Sequence, residues 1–239
     1  MKGVVLAGGL GTRLRPLTLV TNKHLLPVYD KPMVYRPIET LIKAGIKEIM
    51  IVVGGQFAGD FIRVIKNGES FGLRHIEYAY QEGEGGIADA LRLAKSFTDE
   101  KSMTVILGDN CTDSDISKDV AKFRGGAKVF LKEVDDPGRF GIATVKNGKI
   151  TKIVEKPKNP KSNLAVTGVY IYDNTVFDKI DRIKPSARGE LEITDINNLY
   201  LKEGKLGWSK LDGFWSDAGT FATLSEVNRY WAGKRLFNR

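Results

Sequence analysis

Four short apolar runs mark the first half of the chain, at Gly3–Leu6, Glu48–Val53, His75–Ala79 and Met103–Leu107. Runs of this length, rich in valine and isoleucine, read as strands. Four other segments, Met33–Ala44, Phe57–Ile65, Ile87–Phe97 and Ile116–Phe123, have helical character. The first of these stops at Ala44-Gly45, where glycine can take the left-handed cap conformation. Strand and helix in strict alternation predict an α/β fold built on a parallel sheet covered on both faces. Ligands on such sheets gather beyond the carboxyl ends of the strands.

The pattern changes after about residue 133. Phe140–Val145 and Ile150–Val154 flank Lys146-Asn147-Gly148-Lys149, which predicts a hairpin with an Asn-Gly turn. A strand at Leu164–Tyr172 follows, then helices at Asn174–Ile180, Ile193–Glu203 and Phe221–Trp231, with a strand at Leu206–Leu211. No linker, repeat or low-complexity segment interrupts the chain, so one compact unit is expected over residues 1–239.

Composition narrows the class. A chain of 239 residues, 42% hydrophobic and 28% charged, can bury a sizeable core and has the balance of a soluble globular protein. No apolar stretch approaches the roughly 20 residues that span a bilayer, so no membrane partner is expected. The N-terminus begins a strand rather than a signal peptide, which points to a cytoplasmic location. The single cysteine, Cys111, excludes an internal disulfide, and two histidines with one cysteine cannot build a zinc site of the usual kind. The net charge of +8 is compatible with a basic cleft for polyanionic small molecules and with a lysine-rich solvated surface. No clustered basic run marks a nucleic-acid partner.

The candidate chemistry starts at Gly3–Pro16, GVVLAGGLGTRLRP. A strand runs into Gly8, Gly9 and Gly11, then Thr12 and Arg13. The glycines let the backbone approach a ligand closely, and their N–H groups suit phosphate oxygens. Arg13 adds a cationic fork that matches phosphate, so the loop reads as a polyphosphate cradle. It is not a Walker A loop, because no Gly-Lys-Ser/Thr follows. Leu14 stands where a dinucleotide fingerprint needs its third glycine, and Pro16 soon follows, which argues against a nicotinamide dehydrogenase. Asp109 follows the apolar run Val105-Ile106-Leu107-Gly108, and Asp217 lies after Trp215 in a glycine-rich turn. Carboxylates so placed suit Mg²⁺, although Asp109 read alone is an ordinary turn or cap aspartate.

Larger motifs carry a resemblance. Leu6–Arg15 with Lys23–Met33 (KHLLPVYDKPM), Leu107-Gly108-Asp109-Asn110, Glu155-Lys156-Pro157, Ala165-Val166-Thr167-Gly168, the run 184–197 (KPSARGELEITDIN) and Trp215-Ser216-Asp217-Ala218-Gly219-Thr220 occur in that order. Together they resemble the sugar-1-phosphate nucleotidyltransferases, from the first residues to about Ala232. The resemblance implies a Rossmann-like mixed, mostly parallel sheet flanked by helices, of the nucleotide-diphospho-sugar transferase type, with a small β-rich sugar-binding lobe. It places the nucleotide core mainly in residues 1–133 and the sugar-binding, metal-completing part mainly in 134–232.

The activity so implied is transfer of a thymidylyl group from dTTP to glucose 1-phosphate, giving dTDP-glucose and pyrophosphate with Mg²⁺. UTP in place of dTTP is the close variant. The implied metal ligands are Asp109 and Asp217. Arg13 and Lys23 carry over as the phosphate-binding cations, and Lys156 as the holder of the sugar phosphate. The nucleotide side is implied to include Leu6, Gly8, Gly9, Gly11, Thr12, Gln81 and Gly86, the last two reading the pyrimidine edge. Asn110, Gly141, Glu155, Val166 and Thr167 match positions of the sugar pocket. A non-catalytic nucleotide-sugar sensor on the same fold would lack some of the charged groups, yet Arg13, Lys23, Asp109, Lys156 and Asp217 are all present.

Some positions depart from the family pattern. Members often carry Pro-Asp-Gly-Leu-Ala-Gln where this chain has Glu84-Gly85-Gly86-Ile87-Ala88-Asp89, so Asp89 replaces an amide near the base and triphosphate. Phe140 stands where tyrosine is usual. The match also stops short of the C-terminal helices that in long bacterial members support subunit contacts and a secondary nucleotide site. Feedback control and a tetramer therefore both stay open, as does a homo-oligomer in general.

Overall fold

A computed structural model describes residues 1–236, so the last three residues of the expected domain lie outside the described residues. Strand β1 (Lys2–Ala7) opens the chain, and a small ladder of β2 (Pro27–Val28) and β3 (Lys31–Pro32) follows before helix α1 (Tyr35–Lys43). Then come β4 (Glu48–Gly54), α2 (Ala58–Ile65), β5 (His75–Gln81), α3 (Ile87–Arg92), α4 (Lys95–Thr98) and β6 (Met103–Leu107). The expected helix Ile87–Phe97 is thus two short helices. Leu93 and Ala94 donate to carbonyls three residues back, which tightens the turn and ends the α-helical ladder.

Next are β7 (Asn110–Thr112), α5 (Ser117–Lys122), β8 (Ala127–Glu133), β9 (Gly141–Lys146), β10 (Lys149–Glu155) and β11 (Leu164–Tyr172). The chain closes with α6 (Val176–Ile180), α7 (Ile193–Lys202), β12 (Leu206–Lys210), β13 (Trp215–Asp217) and α8 (Phe221–Leu236). Strands β9 and β10 form the expected hairpin, with φ of 50° at Asn147 and 74° at Gly148. Positive φ at both central residues is the turn that matches strand twist.

One nine-stranded sheet runs through both halves. Its parallel part has the order β6-β1-β4-β5, so the chain steps outward from β1 and then returns to the other side of it. The switch point lies between the carboxyl ends of β1 and β6, where the glycine-rich loop and Asp109 emerge. Alternate residues of β1 bury into opposite layers, Val4 and Leu6 on one face, Val5 and Ala7 on the other. A buried strand with both faces covered needs no polar alternation, as its sequence shows.

Strand β11 joins the halves. One edge pairs with β8, which carries β12. The other edge meets β6 antiparallel along Val169–Tyr172 and touches β9 at Ala165↔Ile142. Residues 166–168 therefore bridge a notch between the end of β6 and the start of β9. Strand β8 had no counterpart among the expected elements, although its run AKVFLKE follows a glycine pair.

Candidate active site

A cavity of about 330 Å³ fills that notch and the switch point beside it, lined by Leu6, Gly8, Gly9, Leu107, Asp109 and Val166 among others. Strand β1 leads into Gly8 and Gly9, and at Gly8 a side chain would crowd Gln81: a Cβ there would stand 2.5 Å from Gln81 Oε1. The chain then turns at Gly11, whose φ is 69°, into a 3₁₀ turn at Thr12–Leu14. Buried Leu14 anchors that turn, while Arg13 stays exposed and enters the cavity.

Lys23 sits on another 3₁₀ turn, Lys23–Leu25, capped by Asn22, whose Oδ1 accepts from the His24 backbone N–H at 3.0 Å. The His24 ring is buried beneath it. Burial and the adjacent Lys23 charge push its pKa down to about 3, so the ring is neutral. Lys23 Nζ reaches Asp109 Oδ2 at 2.5 Å, with both side chains nearly buried. Burial alone would raise the Asp109 pKa, but the Lys23 charge and the hydrogen bonds from Lys23 and Asn110 hold it well below the usual carboxylate range.

Asp217 arrives from β13, which pairs with β7 so that Asp217 faces Asn110. The Ala218 N–H also donates to the Asp109 carbonyl at 2.9 Å, which brings the two aspartates into one site. Arg139 Nη2 donates to both Asp217 carboxylate oxygens, at 3.0 and 2.8 Å. Burial, and then the Asp109 charge, raises the Asp217 pKa to about 6 despite Arg139 and Arg13. Asn110 ties the region together: its Oδ1 accepts from Gly168 N at 2.9 Å and from Trp215 Nε1 at 2.7 Å.

The far end of the cavity carries a different charge set. Glu155, at the end of β10, accepts from Thr194 Oγ1 at 2.6 Å. Arg188 Nη2 donates to both oxygens of Glu192, at 2.8 and 2.9 Å, and lies 3.6 Å from Glu155 Oε1. Lys156 is 46% exposed and holds a φ of 38°, a conformation that side chains seldom adopt. Its backbone N–H donates to Phe140 O at 3.0 Å, which fixes this turn against the start of β9. Gly141 leaves room there: a Cβ would stand 3.1 Å from Thr194 Oγ1 and 3.3 Å from Glu155 Oε2.

A match to the nucleotidyl transferase family model extends over residues 2–233. The chain belongs to that family. A glucose-1-phosphate thymidylyltransferase of Neisseria meningitidis is 42% identical over 234 residues, covering 95% of this chain and 81% of the relative. One from Mycolicibacterium smegmatis is 40% identical over 236 residues, covering 96% and 82%. Among solved structures, a Bacillus anthracis protein assigned as a glucose-1-phosphate thymidylyltransferase, in complex with sucrose, superposes with a TM-score of 0.92. It shares 51% identity and covers 96% of this chain and 94% of its own. A UDP-glucose pyrophosphorylase bound to UDP-glucose shares the fold, with a TM-score of 0.83 at 23% identity over 98% of each chain.

This nucleotidyl transferase gathers most of the residues expected at its site around one cavity. Arg13, Lys23, Gln81, Gly86, Asp109, Asn110, Gly141, Glu155, Lys156, Val166 and Asp217 all line it, with Leu6, Gly8 and Gly9. Three expected residues do not. Thr167 is fully buried and its hydroxyl donates to Phe130 O at 3.0 Å, because neighbours on a strand face opposite ways and Val166 takes the cavity side. Gly11 packs against the stem of Lys23, and Thr12 begins the turn that presents Arg13, so both shape the loop from outside the cavity. Arg139, Arg188 and Thr194 line the cavity without having been singled out from the sequence. Arg188 and Thr194 lay inside the long motif 184–197, whereas Arg139 had only its place before the hairpin as a signal.

Proposed function

We propose that this nucleotidyl transferase moves a thymidylyl group from dTTP to glucose 1-phosphate, releasing pyrophosphate and forming dTDP-glucose. The carrying observation is one cavity with two separate sets of anion handles. Arg13 and Lys23 stand with Asp109 and Asp217 at one end, and Lys156 and Arg188 stand with Glu155 at the other. The names of relatives about 40% identical over most of their length support the same chemistry.

The nucleophile is a phosphate monoester whose second pKa is about 6, so it is largely dianionic at neutral pH and needs no general base. The obstacle is the approach of two polyanions and the charge that spreads in the transition state. On this reading Arg13 holds the leaving pyrophosphate and Lys23 meets the α-phosphate. Lys156 in turn holds the sugar phosphate while Glu155 accepts from sugar hydroxyls. Pyrophosphate release with glucose 1-phosphate and each of dTTP, UTP, CTP, ATP and GTP tests the reading. A preference for dTTP supports it; rates as high with UTP replace it with uridylyl transfer.

Asp109 and Asp217 suit Mg²⁺. Among the described residues no cluster of three or more His, Cys, Asp or Glu could hold a metal, but Mg²⁺ uses one or two carboxylates plus water and substrate phosphates. Bound there, Mg²⁺ would neutralise charge on the triphosphate and on the departing oxygens.

A carboxyl whose folded pKa of about 6 exceeds its unfolded 3.8 binds its proton more tightly in the folded state. The stability this gives Asp217 is complete below pH 3.8 and lost as pH rises through 6. Mg²⁺ should therefore raise the melting temperature more at pH 7.5 than at pH 5. An equal rise at both values, or none in either, counts against Asp217 as a ligand. Lys156→Ala should raise KM for glucose 1-phosphate by about 10- to 100-fold with kcat changed only a few-fold, the pattern of lost ground-state binding. Unchanged KM would remove Lys156 from its role.

A further inference from the structure

Gln81 ends β5 with its side chain on the cavity. Its Nε2 makes two hydrogen bonds, to Gly86 O at 3.2 Å and to Asp89 Oδ2 at 3.0 Å. A backbone carbonyl and a carboxylate only accept, so the amide must face them with its NH₂. Both of its hydrogens are thereby consumed. The other half of the amide is free: among the described residues Oε1 receives no hydrogen bond, and it lies over Gly8 at the cavity wall.

Asp89 reaches Gln81 because position 85 has no side chain. A Cβ there would stand 2.4 Å from Asp89 Oδ2. The loop that carries both is held from behind, since Leu191 N–H donates to Gly85 O at 2.8 Å and Ala88 N–H to Leu191 O at 3.2 Å. Gly86 turns the loop into α3 with a φ of 94°, and a Cβ there would meet the Leu191 backbone at 2.8 Å. Asp89 itself does not line the cavity.

We infer that Asp89 is a positioning residue for base selection: it locks the Gln81 amide so that only an acceptor meets the nucleobase. The inference rests on the reading of this cavity as the nucleotide site. A base whose ring nitrogen carries a proton, as N3–H of thymine or uracil does, donates to Oε1. Cytosine presents a lone pair at the same atom and is opposed by Oε1. The lock does not separate thymine from uracil, which share that N–H. It also differs in kind from an amide at position 89, which could accept from Gln81 or donate to it.

Titration calorimetry with dTTP and dCTP, which differ only in the base, tests the lock directly. Wild type should prefer dTTP by about 10- to 100-fold, the effect of an unmade hydrogen bond beside an opposing lone pair. Asp89→Asn frees the amide to turn round, and Asp89→Ala removes the acceptor; in both the preference should fall to about 3-fold or less. KM for glucose 1-phosphate, set at the far end of the cavity, should stay within about 2-fold. Wild-type selectivity in both variants overturns the inference, as does a wild type that binds dTTP and dCTP equally. Selective binding without pyrophosphate release removes the transfer reading and leaves the lock standing.

Discussion

Replacing Asp109 by asparagine should lower kcat on the order of 10³-fold and destabilise the protein in the same step. The two losses have separate causes. Turnover falls because Asp109 is the deeper of the two carboxylates proposed to hold Mg²⁺, and Asp217 beside it is already engaged by Arg139. Stability falls because Lys23 loses its 2.5 Å partner in a pair only 12–13% exposed. Stranding a charge in such a place costs about 3 kcal/mol. For a chain of this size that lowers the melting temperature by roughly 10 °C. Thermal melts and pyrophosphate release read the two effects independently. Adding Lys23→Met to Asp109→Asn should restore much of the melting temperature and none of the turnover. An Asp109→Asn protein that works at the wild-type rate would remove the carboxylate from the site.

Arg13→Ala should give the opposite balance: turnover down by about 10³-fold with the melting temperature unmoved. Arg13 is exposed, and among the described residues it makes no hydrogen bond or ion pair. Its Nη2 lies beside Gly219, where a Cβ would stand 2.9 Å away, and its charge acts on Asp217 from there. Leu14, buried next to it, carries the packing of the loop. Removing Arg13 therefore takes away the charge proposed to meet substrate and, within the fold, only an exposed attraction to Asp217. Arg13→Lys should recover part of the rate, because an ammonium supplies charge without the fork that matches phosphate. A normal kcat/KM for dTTP in Arg13→Ala would show that the cradle works without it.

The contrast between these two residues marks what the sequence makes legible. The short apolar runs identify β1, β4, β5 and β6, and an aspartate after β6 falls at a strand end where ligands gather. Asp217 needs more. It meets Asn110 only through β7 and β13, two three-residue strands that pair across more than a hundred positions, and no periodicity shows in so short a run. Arg139 reaches Asp217 from a single turn before β9, so its role depends on tertiary placement alone. Thr167 is instructive in the other direction. Leu164–Tyr172 was expected as a strand, and a strand that turns Val166 toward a ligand turns Thr167 away. The motif outweighed that alternation, and the alternation was right about the side chain.

The notch in β11 has a consequence for how such a protein diversifies. The end proposed for the nucleotide and the end proposed for the sugar hang from one edge of the same strand, β6 through Val169↔Ile106 and β9 through Ala165↔Ile142. On the proposed reading the distance between the two substrates is a ruler built into the sheet. Loops at either end can be exchanged while the gauge between them holds. A scaffold of this kind can acquire a new sugar or a new base one end at a time, keeping the spacing that in-line attack requires.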